Sequence, residues 1–570
     1  GPSSFRLQRL QDRGRPEPPL AAPRAPCRMR PLLLASGLLG TVAAPPPRVI
    51  LVVVADDYGW WNVDMDAHNA AARTPNLHRL SKSGVRLDRH YVFKYCSPTR
   101  SSLLTGRLPI HVNQNNNANS LLSTSGADIR MTTLPQKLKQ ADPPFQTHLF
   151  GKWHSGARSV ANLPINRGYD SHLGFLKGME DHYTQKSDFD GYSHKYVDLW
   201  RDHGPADSSL NGTFSVFRDT QHAIAALDRW DPQSSGQSLY LDVRFGVTHE
   251  PYQVPSQYRD PSIKNRCAQT YAAMASIMDE GIGNLTSAIQ QRGFWDDTVL
   301  IFSADNGAPT RGASCGNNYP LRGGKTSDFE GGVRVTAFVG GGYVPPGVRG
   351  KVHTGLMHIA DWYATLSALV GVDPVDDSQR IQNGSPGSGV PGIDGVDQWP
   401  FITSPNASAS ARDEIALAFC TNVGGAPDDC VSSTKGVMDT SKYDQGALIA
   451  DGGRWKVVFG QQHGLGFFTG PLHPNGTKNY MDAGCPSGCL FNLFDDPTEH
   501  TDVKEKYPHV FSRLKSRLEE IGKTVFQTSY TDVPQSRQCL SESDAAAKYN
   551  GHLGPQCVAD GSGSAPVRLV

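Results

Sequence analysis

Four apolar runs in the N-terminal part of the chain share one habit: each is short, and each stops at a cluster of polar residues. "RVILVVVADDYG" holds a β-branched run from Val49 to Val54 and ends at Asp56 and Asp57. It is too short for a helix and dense enough to be buried on both faces of a sheet. "THLFGKWHSG" ends at Lys152 and His154, "SLYLDVRFGVTHEP" at His249, and "TVLIFSADNG" at Asp305, Asn306 and Gly307. Between the runs lie segments of helical period, such as "YAAMASIMDEGIGNLTSAI", where Met274, Ile277, Met278, Ile282 and Leu285 fall on one face. Strands alternating with helices predict an α/β fold: a mixed, mostly parallel sheet with helices on both faces. Ligands of such sheets bind beyond the carboxyl ends of the strands, so the four polar clusters are expected to share one edge.

The pattern changes toward the C-terminus. "ALIADGGRWKVVFG" reads as a hairpin turning at Asp451-Gly452-Gly453. "VFSRLKSRLEEIG" puts Val510, Leu514, Leu518 and Ile521 on one helical face. A small antiparallel sheet with a packed helix follows from the two together. Beyond Asp532 apolar residues thin out, and the tail is expected to be held only by Cys539 and Cys557. At the other end, residues 1–28 are rich in Arg and Pro, and "MRPLLLASGLLGTVAAPPP" has the layout of a secretory signal over residues 29–44. Its apolar run is shorter than the ~20 residues a membrane span needs, and no later run is longer.

Composition narrows the function. The chain has 570 residues, 38% of them hydrophobic, enough for a large core and two domains. Lys plus Arg is 55 and Asp plus Glu is 55, so no net field recruits nucleic acid or an anionic membrane. Any anion site must be local. Asp56, Asp57, Asp305 and Asn306 offer only oxygen ligands, which suits calcium or magnesium. A single Asp after a strand is more often a cap or turn residue; two such sites at matching strand ends favour a metal.

Of ten cysteines, Cys27 precedes the signal's cleavage point, leaving nine. An odd number leaves at least one without an intramolecular partner. Cys267, Cys315, Cys420, Cys430, Cys485, Cys489, Cys539 and Cys557 suit disulfides in an oxidising compartment. Cys96 stands apart, in "YCSPTRSSLLTGR". Pro98 fits a first helical turn, where its missing N–H costs nothing, and Arg100 lies one turn on. Cys96 is thus expected at the positive end of a helix dipole beside a guanidinium, a setting for anions. Lys325 follows a glycine pair in "LRGGKTSDFEGGVR" that lets backbone approach a ligand. Arg100, Lys152, His154, His249, Lys325 and a divalent metal are expected around one small tetrahedral anion. Asn211, Asn284, Asn383, Asn406 and Asn475 head glycosylation sequons, as in a secreted chain.

Cys-Ser-Pro-Thr-Arg followed by Leu-Thr-Gly-Arg, Leu104 to Arg107, resembles the type I sulfatase signature, in which the cysteine is oxidised to formylglycine. The resemblance runs from about Val49 past Glu499 and includes "TPNLHRLSKSGV", "GKWHSG", "SADNG", "GGKTSDFEGGVR" and "LFNLFDDPTEHTDV". "NRGYDSHLGFLKGMEDHYT" and "YPLRGGKTSDFEGGVR" look most like the arylsulfatase B branch, which desulfates N-acetylgalactosamine 4-sulfate. The asparagine-rich insert Gln114 to Asn119 and the Cys-flanked tail do not.

The resemblance implies an alkaline-phosphatase-like α/β catalytic domain over residues 45–405, a C-terminal α+β subdomain over 406–535 and a tail over 536–570. It implies one calcium held by Asp56, Asp57, Asp305 and Asn306 beside residue 96, and a Cys96-derived aldehyde hydrated to a diol. In the implied roles Arg100 and Lys152 stabilise the formylglycine oxygen, Lys325 and His249 hold the sulfate and leaving oxygen with one or the other as acid, and His154 removes the second hydroxyl's proton. Asp305 would accept the proton of the attacking hydroxyl. Implied partners are a sulfated glycan or small-molecule substrate and a formylglycine-generating enzyme, with action in the lysosome or outside the cell. Two rivals remain. A phosphatase or phosphodiesterase of the same superfamily would use Ser or Thr and usually two zinc ions, and a non-catalytic binder of sulfated glycans would lack a nucleophile or a metal ligand.

Overall fold

Val49–Ala55 forms strand β1, and all seven of its residues are buried. Its β-branched side chains fill both faces, which only a central strand covered on each side permits. In the computed structural model Phe145–Gly151 forms β2, Ser238–Phe245 β3 and Thr298–Ala304 β4. The structure describes residues 45–557 apart from 65–72, 115–125, 188–194, 311–313, 377–388, 421–444, 461, 463–469, 471–483 and 527–538. The leader and signal segments, Cys27, Cys430, Asn383, Asn475 and residues 115–119 of the insert lie outside the described residues.

β1 pairs in parallel with β3 on one side and β4 on the other, Val49 lying opposite Leu239 and Thr298. Registers run level to Ala55, opposite Phe245 and Ala304. β2 adds in parallel to β3, with Gly151 opposite Arg244. Four strands in level register therefore stop together, and the polar clusters that follow them meet at one edge. Among the described residues the sheet has ten strands, with Ala337–Gly340 antiparallel to β4 and Ser171–Gly174 parallel to β2. This is the mostly parallel sheet that the alternation predicts. Helix α1 spans Cys96–Thr105 and α2 spans Arg266–Gln291. On α2, Met274, Ile277, Met278, Ile282 and Leu285 are all buried in the main core.

Ile415–Cys420 (β5), Gln445–Ala450 (β6), Trp455–Gly460 (β7) and Cys485–Asn492 (β8) make an antiparallel sheet in sequence order. The β6–β7 hairpin closes at Asp451, Gly452 and Gly453, all at positive φ, as its glycines and aspartate allow. Helix α3, Pro508–Gly522, packs Leu514, Leu518 and Ile521 onto this sheet, with Val510 half-buried. From Pro46 onward the described residues form one compact unit.

The tail is held by more than its cysteines. Cys539 and Cys557 do form a disulfide, but helix α4, Glu542–Lys548, also buries Ala545 and Ala546. Leu553 enters the main core, and Tyr549 meets Trp200 edge-on at 5.1 Å. Cys267–Cys315 and Cys485–Cys489 are disulfides, and Cys420 is disulfide-bonded too. Among the described residues the free thiol is Cys96. Asn211, Asn284 and Asn406 are exposed. No helix among the described residues is long and apolar enough to cross a membrane.

Candidate active site

Each strand end supplies residues to one buried cluster. Asp56 and Asp57 follow β1, Lys152 and His154 follow β2, His249 follows β3, and Asp305 and Asn306 follow β4. Cys96 is the first residue of α1, and Lys325 reaches in from a loop. All the residues expected at the site are brought together.

Asp56 lies between cations. Lys152 Nζ donates to its Oδ2 at 2.5 Å, Cys96 Sγ stands 3.5 Å from its Oδ1, and Arg100 Nη2 is 3.8 Å from the same oxygen. Burial would raise its carboxyl, but Lys152, His249 and Arg100 together hold it below the usual carboxylate range. Asp57 is balanced the same way: Lys325 Nζ donates to its Oδ2 at 2.8 Å, and with His249 outweighs burial. Asp305 goes the other way. Burial and the nearby Asp56 charge raise its pKa, although Arg100 donates to its Oδ2 through Nε and Nη2. Its Oδ1 accepts the Asp57 N–H at 3.1 Å.

The histidines differ. His249 Nδ1 donates to the Glu250 carbonyl at 2.7 Å, which turns Nε2 toward Asp57 Oδ2, 3.5 Å away. His154 has both ring nitrogens buried without a hydrogen-bond partner. Burial, then Lys152 and Arg100, keep it neutral, well below the ordinary histidine value. Asp57 and His154 both sit at positive φ, 55° and 46°, conformations that β-carbon sterics disfavour and that cluster at functional sites.

Two residues that sequence reasoning missed hold Asp57 there. Tyr271 Oη donates to the Asp57 carbonyl at 2.5 Å and accepts the Gly59 N–H at 3.2 Å. Thr248 Oγ1 donates to the same carbonyl at 3.2 Å. Tyr271 reads in the sequence only as one more apolar position of α2; no local signal marks its hydroxyl.

The donor set fits a hard divalent cation. Asp56, Asp57, Cys96 and His249 offer ligand atoms all within 4.8 Å of one another. Asn306 Oδ1 is buried without a hydrogen-bond partner, while its Nδ2 donates to Asp57 Oδ1 at 2.7 Å. Carboxylates and an amide oxygen suit calcium or magnesium. The Cys96 thiol itself is pushed far up by burial and by Asp305, so it is not an activated thiolate. Arg100, Lys152 and Lys325 gather three cations at this edge, close enough to Cys96 and His154 to act on their charge, a setting that favours an anion.

The family model described as Sulfatase matches residues 48–372. Arylsulfatase J of Mus musculus is 32% identical over 86% of this chain and 78% of its own. N-acetylgalactosamine-6-sulfatase of Mus musculus is 29% identical over 67% of this chain and 71% of its own. Among solved structures, Ps i-CgsB in complex with k-i-k-neocarrahexaose superposes with a TM-score of 0.65 at 24% identity, covering 85% of this chain and 94% of that one.

Proposed function

The chain belongs to the sulfatase family and is a sulfuric ester hydrolase, and on that premise we propose that it works through a formylglycine made from Cys96 and a bound calcium. One observation carries this reading: a buried cysteine without a disulfide partner opens a ten-residue helix, among the site's carboxylates and cations. Asp56, Asp57, Asp305 and Asn306 would hold calcium, which polarises a sulfate and favours ionisation of a hydroxyl beside it. As a hydrated aldehyde, residue 96 offers one hydroxyl to attack sulfur and a second whose deprotonation expels sulfate.

The chain's own groups do the rest. Arg100, fixed on Asp305 Oδ2, and Lys152, fixed on Asp56, stabilise negative charge at residue 96. Lys325 binds sulfate oxygen. His249, with Nδ1 tied to a carbonyl, protonates the leaving oxygen through Nε2. Asp305, the carboxylate with the raised pKa, takes the first proton. His154, neutral and with both nitrogens unengaged, takes the second.

The substrate proposed is a sulfated sugar of the galactosamine type, such as N-acetylgalactosamine 4-sulfate. The motifs that resemble the arylsulfatase B branch suggest it; the relatives above, arylsulfatase J and N-acetylgalactosamine-6-sulfatase, support the family and not that branch in particular. The domain reading, a catalytic domain over 45–405 with a subdomain over 406–535, is kept as part of the proposal. So are glycosylation at the sequons, maturation by a formylglycine-generating enzyme, and a lysosomal or extracellular site of action. Exposed Asn211, Asn284 and Asn406 support the glycosylation. Peptide mass spectrometry across Cys96 tests the mechanism; an unmodified thiol in fully active protein would sink it. A panel of defined sulfated oligosaccharides tests the substrate, and activity elsewhere with none on any sulfated galactosamine rejects that assignment. Faster turnover of phosphate esters than sulfate esters would favour the phosphatase rival.

A further inference from the structure

Two residues of the sequence motifs have no part in the chemistry above: Glu330 of "GGKTSDFEGGVR" and Glu499 of "LFNLFDDPTEHTDV". They meet, fully buried, with Lys456 of β7 between them. Lys456 Nζ is 2.9 Å from Glu330 Oε1 and 2.9 Å from Glu499 Oε1. Glu330 Oε2 accepts the Tyr91 hydroxyl at 3.0 Å.

Glu499 grips both stems of the loop that carries Lys325. Its carboxylate accepts the Glu330 N–H at 2.6 Å, and its backbone carbonyl accepts from Arg322 Nη1 at 3.2 Å. The stems also join each other, the Gly331 N–H donating to the Arg322 carbonyl at 2.7 Å. At the far end of the loop the Lys325 N–H donates to the Ala308 carbonyl at 3.1 Å, and its ammonium reaches Asp57. A second contact from the C-terminal part runs parallel: Asp328 N–H donates to Gln462 Oε1 at 2.7 Å. The loop is thus pinned between the metal-side backbone and the C-terminal sheet. Burying three charges for stability alone is a poor bargain, since apolar residues of like size commonly do as well. A buried carboxylate–ammonium–carboxylate set does, however, fix geometry tightly.

We propose that Glu499 and Lys456 are positioning residues for Lys325, making the C-terminal sheet part of the active site. The inference rests on the sulfate-binding role given to Lys325. It predicts that the two residues act through Lys325 and not independently of it, which a double-mutant cycle measures.

The test uses the full chain with Glu499→Leu, Lys325→Ala and the double variant. Readouts are kcat, KM and, by calorimetry, affinity for inorganic sulfate. Expected is a loss of kcat/KM and of sulfate affinity of about tenfold or more for Glu499→Leu, and less than about threefold further loss in the Lys325→Ala background. Glu499→Gln, which keeps an acceptor for the Glu330 N–H, is expected to restore most of the sulfate affinity. Equal losses in both backgrounds overturn the proposal while leaving the Lys325 role standing. Normal activity and sulfate affinity in Lys325→Ala would overturn that role and the proposal with it. If Glu499→Leu does not fold, Lys456→Gln replaces it in the same cycle with the same expected and overturning results.

Discussion

Arg100 donates through both Nε and Nη2 to a single oxygen of Asp305, Oδ2, at 3.0 and 2.8 Å. The other oxygen, Oδ1, takes the Asp57 N–H, so the arginine and the β1 loop fix this carboxylate from two sides. A guanidinium fork can do this and an ammonium cannot. The carboxylate is therefore aimed before any ligand arrives.

Asp305→Asn is expected to lower kcat by on the order of 10²- to 10³-fold, as loss of one oriented charge at a reacting centre does. Calcium is expected to raise the thermal midpoint of the chelated wild type, because ligand binding stabilises by mass action, and Asp305→Asn should abolish that rise. Steady-state rates and thermal melts with and without chelator check both. A variant with near-normal activity would remove Asp305 from the scheme.

Cys96→Ser should stop after about one turnover. A serine hydroxyl facing Arg100 and Lys152 can attack sulfur, but it has no second hydroxyl to drive sulfate out, so the covalent ester persists. Intact-protein mass spectrometry after incubation with substrate should show one added sulfate. Sustained multiple turnover would rule the elimination step out.

Gly307 follows Asn306, and its N–H donates to the Gly332 carbonyl at 3.0 Å. A Cβ there would collide with the Gly331 carbonyl oxygen. Gly307→Ala should force the metal-side loop away from the Lys325 loop, raising KM and lowering kcat together by about tenfold or more. Unchanged kinetics would mean that the two loops need not touch.

Burial, against the pull of Lys456, pushes Glu499 up to about 7. A carboxyl whose folded pKa is raised stabilises the fold fully below its unfolded value, and that contribution is lost as pH rises through about 7. The shift is worth on the order of 3 kcal/mol across this window. Wild-type melts should therefore fall in midpoint between pH 5 and pH 8, and Glu499→Gln should flatten the fall. Parallel curves for the two proteins would show that Glu499 does not titrate there.

The sheet was legible because its central strands are apolar on both faces and stop abruptly at charged residues. Asp56, Lys152, His249 and Asp305 could be placed at one edge from those endings alone. Tyr271 could not, because its hydroxyl reaches Asp57 from the next layer and its spacing reports only a buried face. The Glu330–Lys456–Glu499 set joins three segments far apart in the chain, and each residue alone reads as a surface charge. The tail was misjudged because small residues such as Ala545 and Ala546 pack closely without producing a strong pattern.

All ten residues of α1, from Cys96 to Thr105, are buried. On the proposed maturation this sets an order of events. No second enzyme can grip Cys-Ser-Pro-Thr-Arg once the strands have closed around it, so oxidation has to reach the nascent chain first. A molecule that folds with its thiol intact is then committed to remain inactive. The specific activity of a preparation would record how the race between modification and folding ended, molecule by molecule.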